Sequence, residues 1–274
     1  MGLRINTNIP ALNAGRAVDR SARALTRSLE RLSGGLRINR AADDAAGLAV
    51  AEGFRTQVRG AQAAQRNAQD GINLVQTAEG ALGETAGILQ RIRELALQSA
   101  NGTQTSANRL ALNTEVQQLI AQVESIALDT RFNGINVLSS NQTITLQTGF
   151  NPGQFVPVAI GGARTSDLGL SPVNISAAGG AVSAISLVDV ALASVNTLRS
   201  SLGAFQNRLE FTVNTLAIQE ENAAAAESSI RDADIARETI MFTRNQILVN
   251  AGLSVLAQTN VTPQNALKLL STGE

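Results

Sequence analysis

The sequence predicts a mainly α protein, an elongated rod of long antiparallel, coiled-coil helices with a small β-hairpin region. Three observations carry this prediction. The five prolines stand at Pro10, Pro152, Pro157, Pro172 and Pro263, so residues 11–151 and 173–262 are proline-free. A proline in a helix interior costs ~3 kcal/mol or more, so those stretches permit long helices. Within them apolar residues recur at alternating steps of four and three, the spacing of a helix that packs along its length on another. Aromatics make up 3% of the 274 residues, as seven Phe with no Trp or Tyr; burial must rest on Leu, Ile, Val and Ala.

The first helix is expected to run to about residue 33, with a seam of Ala11, Gly15, Val18, Ala22, Leu25, Leu29, Leu32 and Leu36. It breaks near Ser33-Gly34-Gly35, and Ala42-Asp43-Asp44 offers an acidic cap for a second helix. From Ala45 to about Ser99 the residues Phe54, Val58, Ala61, Ala68, Ile72, Val75, Leu82, Leu89 and Ile92 mark an apolar stripe. That is a helix of roughly 55 residues and about 80 Å. A compact domain of this length would have a radius of gyration of about 19 Å, so a rod is expected. Gly47, Gly53, Gly60, Gly71, Gly80, Gly83 and Gly87 lie in this helix. Each costs up to about 1 kcal/mol relative to Ala, so packing must hold the helix, with close approach of a neighbour as one benefit.

A third helix is expected from about Ser106 to Asp129, with Leu112, Val116, Leu119, Val123 and Ile126 on one face. A fourth is expected from about 182 to 258. Its seam is Ala191, Val195, Leu198, Leu202, Phe205, Leu209, Thr212, Leu216, Gln219, Ala223, Ala226 and Ile230, stepping four and three without a slip. Between them, residues 135–181 read as β. Gln142–Gln147 alternates polar and apolar, Asn151-Pro152-Gly153 is a turn, and Gln154–Ile160 returns, with Pro157 placing that strand on an edge.

Composition narrows the chemistry. With no Cys and no His, thiol nucleophiles, disulfides, Cys/His zinc sites, haem ligation and Ser-His-Asp triads are excluded. Asp43-Asp44, Glu220-Glu221 and the Asp232/Asp234 pair could serve acid–base or hard-cation chemistry, but helix caps and solvated faces explain them better. Phosphate-cradle and nucleophile-elbow motifs do not occur. The expectation is no enzyme, no cofactor and no metal. Twenty-two basic and twenty-two acidic residues balance, so any electrostatic role is local. No stretch reads as apolar over about 18 residues, and the N-terminal segment lacks a hydrophobic signal core, so neither a membrane span nor a conventional secretory signal is expected.

The two ends differ in charge. Residues 1–40 hold eight Arg (4, 16, 20, 23, 27, 31, 37, 40) against Asp19 and Glu30, a local charge of +6. Residues 220–238 hold Glu220, Glu221, Glu227, Asp232, Asp234 and Glu238 against Arg231 and Arg237, a local charge of −4. Arg16, Arg20, Arg23, Arg27 and Arg31 flank the first seam, as positions that steer helix pairing do. A nucleic-acid or anionic-membrane helix is the rival reading, weakened because no aromatics interleave the arginines and an acidic partner lies in the same chain. A solvated face on an ordinary bundle is the plainer one.

The C-terminal segment is the most informative. Ile235, Phe242, Val249 and Leu256 repeat every seven residues, as do Met241, Leu248 and Val255, and Ile240 and Ile247 form a third column. A helix that is apolar all round must be covered all round. The N-terminal helix covers one side only; the remaining faces need other copies of the protein.

These features resemble a known family over essentially the whole chain, the bacterial flagellins. The matching segments include Leu3–Asn8, Leu32–Asn39 running into Ala42–Leu48, Asp70-Gly71-Ile72 with Gln76–Leu82, Leu89–Ala96 with Gln98–Asn101, and Phe132-Asn133-Gly134. At the other end are Ser229–Asp234, Gln246-Ile247-Leu248, Ser254–Gln258 and Pro263-Gln264-Asn265 with Leu267, Leu269 and Leu270. The resemblance implies a subunit that self-assembles into the helical flagellar filament used for swimming. A hook–filament junction protein of the same apparatus is the alternative. It implies an inner-core coiled coil of residues 1–44 and 232–274, packed through Leu25, Leu29, Leu32, Leu36, Ile235, Phe242, Leu248, Val249, Val255, Leu256, Leu269 and Leu270. Residues 45–231 would form an outer rod of three long helices with the hairpin region at about 135–181.

The family's variable outer domains are missing, so a minimal flagellin and a thin, smooth filament are expected. The resemblance further implies type III export to an extracellular filament and an export chaperone on the C-terminal segment. It implies contacts with hook-associated junction and cap proteins, and no nucleic-acid or membrane partner. The patch of Leu89, Gln90, Arg91, Leu95, Gln98 and Glu115 resembles the one sensed by a Toll-like receptor of animals. A subunit contact is its stronger reading.

Overall fold

A computed structural model describes residues 7–271, with side chains left out of the description at 262–264 and 266–271. The elements are α1 (Ile9–Gly34), α2 (Ala45–Ala100), α3 (Ser106–Asp129), β1 (Arg131–Phe132), β2 (Ile135–Asn136), β3 (Gln142–Gln147), β4 (Phe155–Ile160), α4 (Ala178–Arg231) and α5 (Ile235–Ser271). The mainly α class expected from the sequence is found. The chain divides into two units, Met1–Thr56 with Asn222–Glu274, and Gln57–Glu221.

The helix boundaries follow local chemistry. Asn8 Oδ1 accepts from the Ala11 N–H at 3.1 Å, and Pro10 occupies the first turn, where its missing N–H is no loss. Gly35 ends α1 at φ 67°, a left-handed conformation that suits a residue without Cβ. Asp44 Oδ1 accepts from the Gly47 N–H at 2.8 Å, the cap expected for α2. Thr105 caps α3 through Asn108 at 3.2 Å.

In the second unit, α2 lies antiparallel to α4. Arg93 bonds Asp189 at 2.6 Å, Arg199 bonds Glu79 at 2.7 Å, and Gln62 bonds Glu220 at 2.7 Å, so positions rise on one helix as they fall on the other. Arg91 reaches Glu115 at 2.9 Å and ties α2 to α3. The core is aliphatic, with Leu82, Leu89, Ile92 and Leu95 from α2, Val116 and Val123 from α3, and Val195, Leu202 and Leu209 from α4. Every seventh residue of the α4 seam from Val195 to Ala223 is buried, while Gln219 is exposed.

Close approach accounts for three of the seven glycines in α2. A Cβ on Gly60 would lie 2.6 Å from Phe150 Cβ, one on Gly71 would strike Leu146 and come within 3.2 Å of Leu209, and one on Gly47 would crowd Asp44 and Ile38. Gly53, Gly80, Gly83 and Gly87 face open space among the described residues.

Strands β3 and β4 pair antiparallel from Gln142↔Ile160 to Gln147↔Phe155, with Pro157 opposite Thr145. Val156, Val158 and Ile160 point into the core, and alternate residues face out. A shorter antiparallel pair, β1 with β2, turns on Asn133 and Gly134 at φ 48° and 80°. Asn-Gly is the sequence a tight hairpin favours when both central residues need positive φ.

Three expectations need correction. Residues 161–177 are not β; they are coil that nonetheless buries Leu168, Leu170, Val173 and Ile175. The coil is tolerated because helix side chains satisfy its backbone: Ser99 donates to the Ile175 carbonyl at 2.6 Å, Asn113 accepts from the Ile175 N–H at 2.9 Å, and Gln117 donates to the Val173 carbonyl at 3.0 Å. The expected fourth helix is two, broken at Asp232-Ala233-Asp234, and α5 runs on past Pro263. Finally, α4 contains an 18-residue window long and apolar enough, by length and composition, to cross a membrane. Ala181, Ala184, Val188 and Ala191 of this helix are buried in the core, which is where its apolar face goes.

Glu124 clamps the start of the coil. Its Oε2 accepts from the Thr165 N–H at 2.9 Å and hydroxyl at 2.7 Å, and its Oε1 accepts from Arg164 at 2.8 Å. Burial pushes this carboxyl up, but the hydrogen bonds from Thr165 and Arg164 outweigh it and hold the pKa below the usual carboxylate value. A depressed folded-state pKa contributes stability that is present above the unfolded value and lost as pH falls through the folded one. Acid titration should therefore loosen residues 161–177 as pH falls below the ordinary glutamate value of about 4.3 and through the depressed one. Glu124→Gln should be less stable than wild type at pH 7 and converge with it in acid, as measured by thermal unfolding at a series of pH values.

Candidate assembly surface

α1 and α5 pack as an antiparallel pair. Gly15 faces Leu256 at 3.8 Å, a Cβ on Gly252 would lie 2.6 Å from Val18 Cγ2, and Arg31 meets Glu238 at 3.7 Å. Asn8 Nδ2 donates to the Thr259 carbonyl at 2.9 Å, fixing the far end. The half-buried residues of α5 are Glu238, Phe242, Asn245, Val249, Gly252, Leu256 and Thr259, again stepping four and three. On α1, Leu25 and Leu32 are half-buried, as is Leu36 beyond its end. Phe242, Val249 and Leu256 thus form the seam column.

The other columns of α5 remain uncovered. Ile240 is 68% exposed and Ile247 61%, and Ile235, Met241, Leu248, Leu253 and Val255 are exposed as well. Leu29 of α1 is also exposed. The side chains of Leu269 and Leu270 lie outside the described residues.

Both helix breaks are joined by one backbone clasp. The Arg37 N–H donates to the Arg231 carbonyl at 2.7 Å, the Ala233 N–H donates to the Gly35 carbonyl at 2.9 Å, and Leu36 pairs with Asp232 as an isolated bridge. The Arg37 guanidinium adds a bond to the Ile230 carbonyl at 3.2 Å. These donors satisfy carbonyls that the end of α4 leaves open, and Asp234 then caps α5 through the Arg237 N–H at 3.1 Å. Arg231 anchors the joint through Glu52 at 3.1 Å and Glu227 at 3.8 Å. The clasp was not legible in the sequence, where the break near Ser33-Gly34-Gly35 is expected but the one at Asp232–Asp234 is not.

The expected pairing of basic and acidic ends is realised sparingly. Of the five arginines flanking the first seam, Arg31 alone reaches a carboxylate; Arg16, Arg20, Arg23 and Arg27 make no ion pair among the described residues. Glu220 instead accepts from Gln62 and Gln65.

In the patch on α2 and α3, Leu89 and Leu95 are buried in the core and present no surface, whereas Gln90, Arg91, Gln98 and Glu115 are exposed. Hydrogen bonds from Arg91 to Glu115 and then to Glu94 raise its pKa further and keep it charged.

Long helices with an aliphatic core, and a terminal helix that leaves Ile240, Ile247 and Leu248 exposed, suit a protein that packs on other helices. The N-terminal helical region of bacterial flagellin matches residues 5–143, and its C-terminal helical region matches residues 185–270. The chain is 47% identical to a flagellin of Halalkalibacterium halodurans, over 97% of this chain and 99% of the relative. It is 44% identical to a flagellar filament 31.3 kDa core protein of Treponema maltophilum, with the same coverage of each. The crystal structure of Bacillus cereus flagellin is similar at a TM-score of 0.50 and 32% identity, over 59% of this chain and 94% of that one. The chain belongs to the bacterial flagellin family: it is a structural subunit of the flagellar filament, polymerising with its own kind, and not an enzyme.

Proposed function

We propose that residues 1–44 and 232–274 form the inner core of the filament and residues 45–231 its outer part. In this reading the uncovered columns of α5 are buried against the terminal helices of neighbouring copies. The observation that supports it most is the exposed Ile240, Met241, Ile247, Leu248 and Val255 on a helix whose one partner along its length among the described residues covers a different column. At about 25 cal/mol per Å² of apolar area, leaving these side chains in water forfeits several kcal/mol, and contiguous patches of this kind mark interaction sites.

The same columns suit an export chaperone on the C-terminal segment before secretion, and hook-associated junction and cap proteins at the ends of an extracellular filament. Gln90, Arg91, Gln98 and Glu115 form a subunit contact, and the face an animal Toll-like receptor would meet.

Hydrogen exchange tests the proposal. Amides in residues 1–40 and 235–274 should exchange fast in dilute monomer and become protected in filaments, while the Leu82 to Leu95 core is protected in both. Full protection of the terminal helices in the monomer would overturn it.

A further inference from the structure

We infer that the cleft beside the backbone clasp, between α1 and the start of α5, binds an oxyanion. Its volume is about 590 Å³, and Arg27, Arg31, Arg37 and Arg237 all line it. The guanidinium groups of Arg27 and Arg237 have no hydrogen-bond or ion-pair partner among the described residues. Ser28 also lines the cleft. It is 4% exposed, yet its hydroxyl has no hydrogen-bond partner among the described residues. That hydroxyl opens onto the arginine-lined cleft, where it is free to donate to a bound anion.

The cleft also receives the N-terminus of α5, a helix of 37 residues, whose dipole favours negative charge there. Carboxylates in the wall are mostly engaged. Asp234 accepts from the Arg237 N–H at 3.1 Å, and Glu238 lies 3.7 Å from Arg31. Asp232 is the third, leaving four guanidinium groups against three carboxylates.

A tetrahedral or planar oxyanion fits this set. Two guanidinium forks and one hydroxyl supply charge-assisted donors from two sides. The same chemistry is offered by free phosphate and by the carboxylate of a neighbouring copy. The inference rests on the cleft itself; filament assembly enters only as a readout.

Two measurements on the full-length chain decide it. The first is amide hydrogen exchange in inorganic phosphate against chloride at equal ionic strength. The second is the critical concentration for assembly in chloride. Both are made on wild type, Arg27→Gln, Ser28→Ala and, as a control for lost charge on the same helix, Arg20→Gln.

If the site takes free anion, phosphate slows exchange in residues 24–31 and 229–245. Arg27→Gln then weakens that response about tenfold, and Arg20→Gln leaves it intact. If a neighbour's carboxylate fills it, phosphate has no such effect in wild type, but Arg27→Gln and Ser28→Ala raise the critical concentration about tenfold while Arg20→Gln does not. Identical behaviour of Arg27→Gln and Arg20→Gln in both measurements overturns the inference.

Discussion

A chain ending at Ser254 is expected to lose filament growth altogether while keeping the Gln57–Glu221 unit folded. The truncation removes Val255 and Leu256 together with Thr259, whose carbonyl holds Asn8. It takes away one turn of the α1 seam and the exposed Val255 and Val261 in a single cut. Each fully buried Leu or Val contributes about 1.5–3 kcal/mol, so the critical concentration should rise by a factor of about a thousand or more. Sedimentation and electron microscopy read the loss, and a second transition in thermal unfolding, unchanged from wild type, reports the intact unit. Filaments from the truncated chain would show that α5 does not carry assembly.

Leu89→Ala is expected to have the larger effect on stability. Leu89 is fully buried among α2, α3 and α4 residues in the aliphatic core, and a Leu-to-Ala change in such a site costs about 3–4 kcal/mol, part transfer and part cavity. For a unit of this size that lowers Tm by about 10 °C. Leu110→Ala, on the exposed face of α3, should cost less than about 0.5 kcal/mol. Calorimetry of the two variants separates them. If Leu89→Ala melted with wild type, the patch reading that places Leu89 on a surface would return.

The sequence carried the long helices because their signal is periodic and local. Residues such as Val195, Leu202, Leu209 and Leu216 recur at the heptad step, and α4 buries all four. α3 spans Ser106–Asp129, about where the spacing of Leu112, Val116, Leu119, Val123 and Ile126 predicts it. The hairpin was legible for the same reason, through the alternation of Gln142–Gln147.

Residues 161–177 carry no period of their own. The β reading of 135–181 includes them, yet they are coil that buries Leu168, Leu170 and Val173. Their backbone is in fact satisfied by Asn113 and Gln117 from α3 and by Ser99 from α2, partners more than fifty residues away in sequence. Likewise Arg91 and Leu95 share a short sequence stretch, but one is on the surface and the other in the core.

The amino-acid order alone determined the helical class, the span of each apolar seam and the surplus of apolar columns on the last helix, because side-chain periodicity fixes which face is greasy. Tertiary structure alone decided where the last long helix breaks and which column of α5 is covered. A break at Asp232–Asp234 becomes stable only when the 35–38 segment donates to the carbonyls that α4 leaves open. Those hydrogen bonds join residues almost two hundred positions apart, a pairing no local pattern encodes.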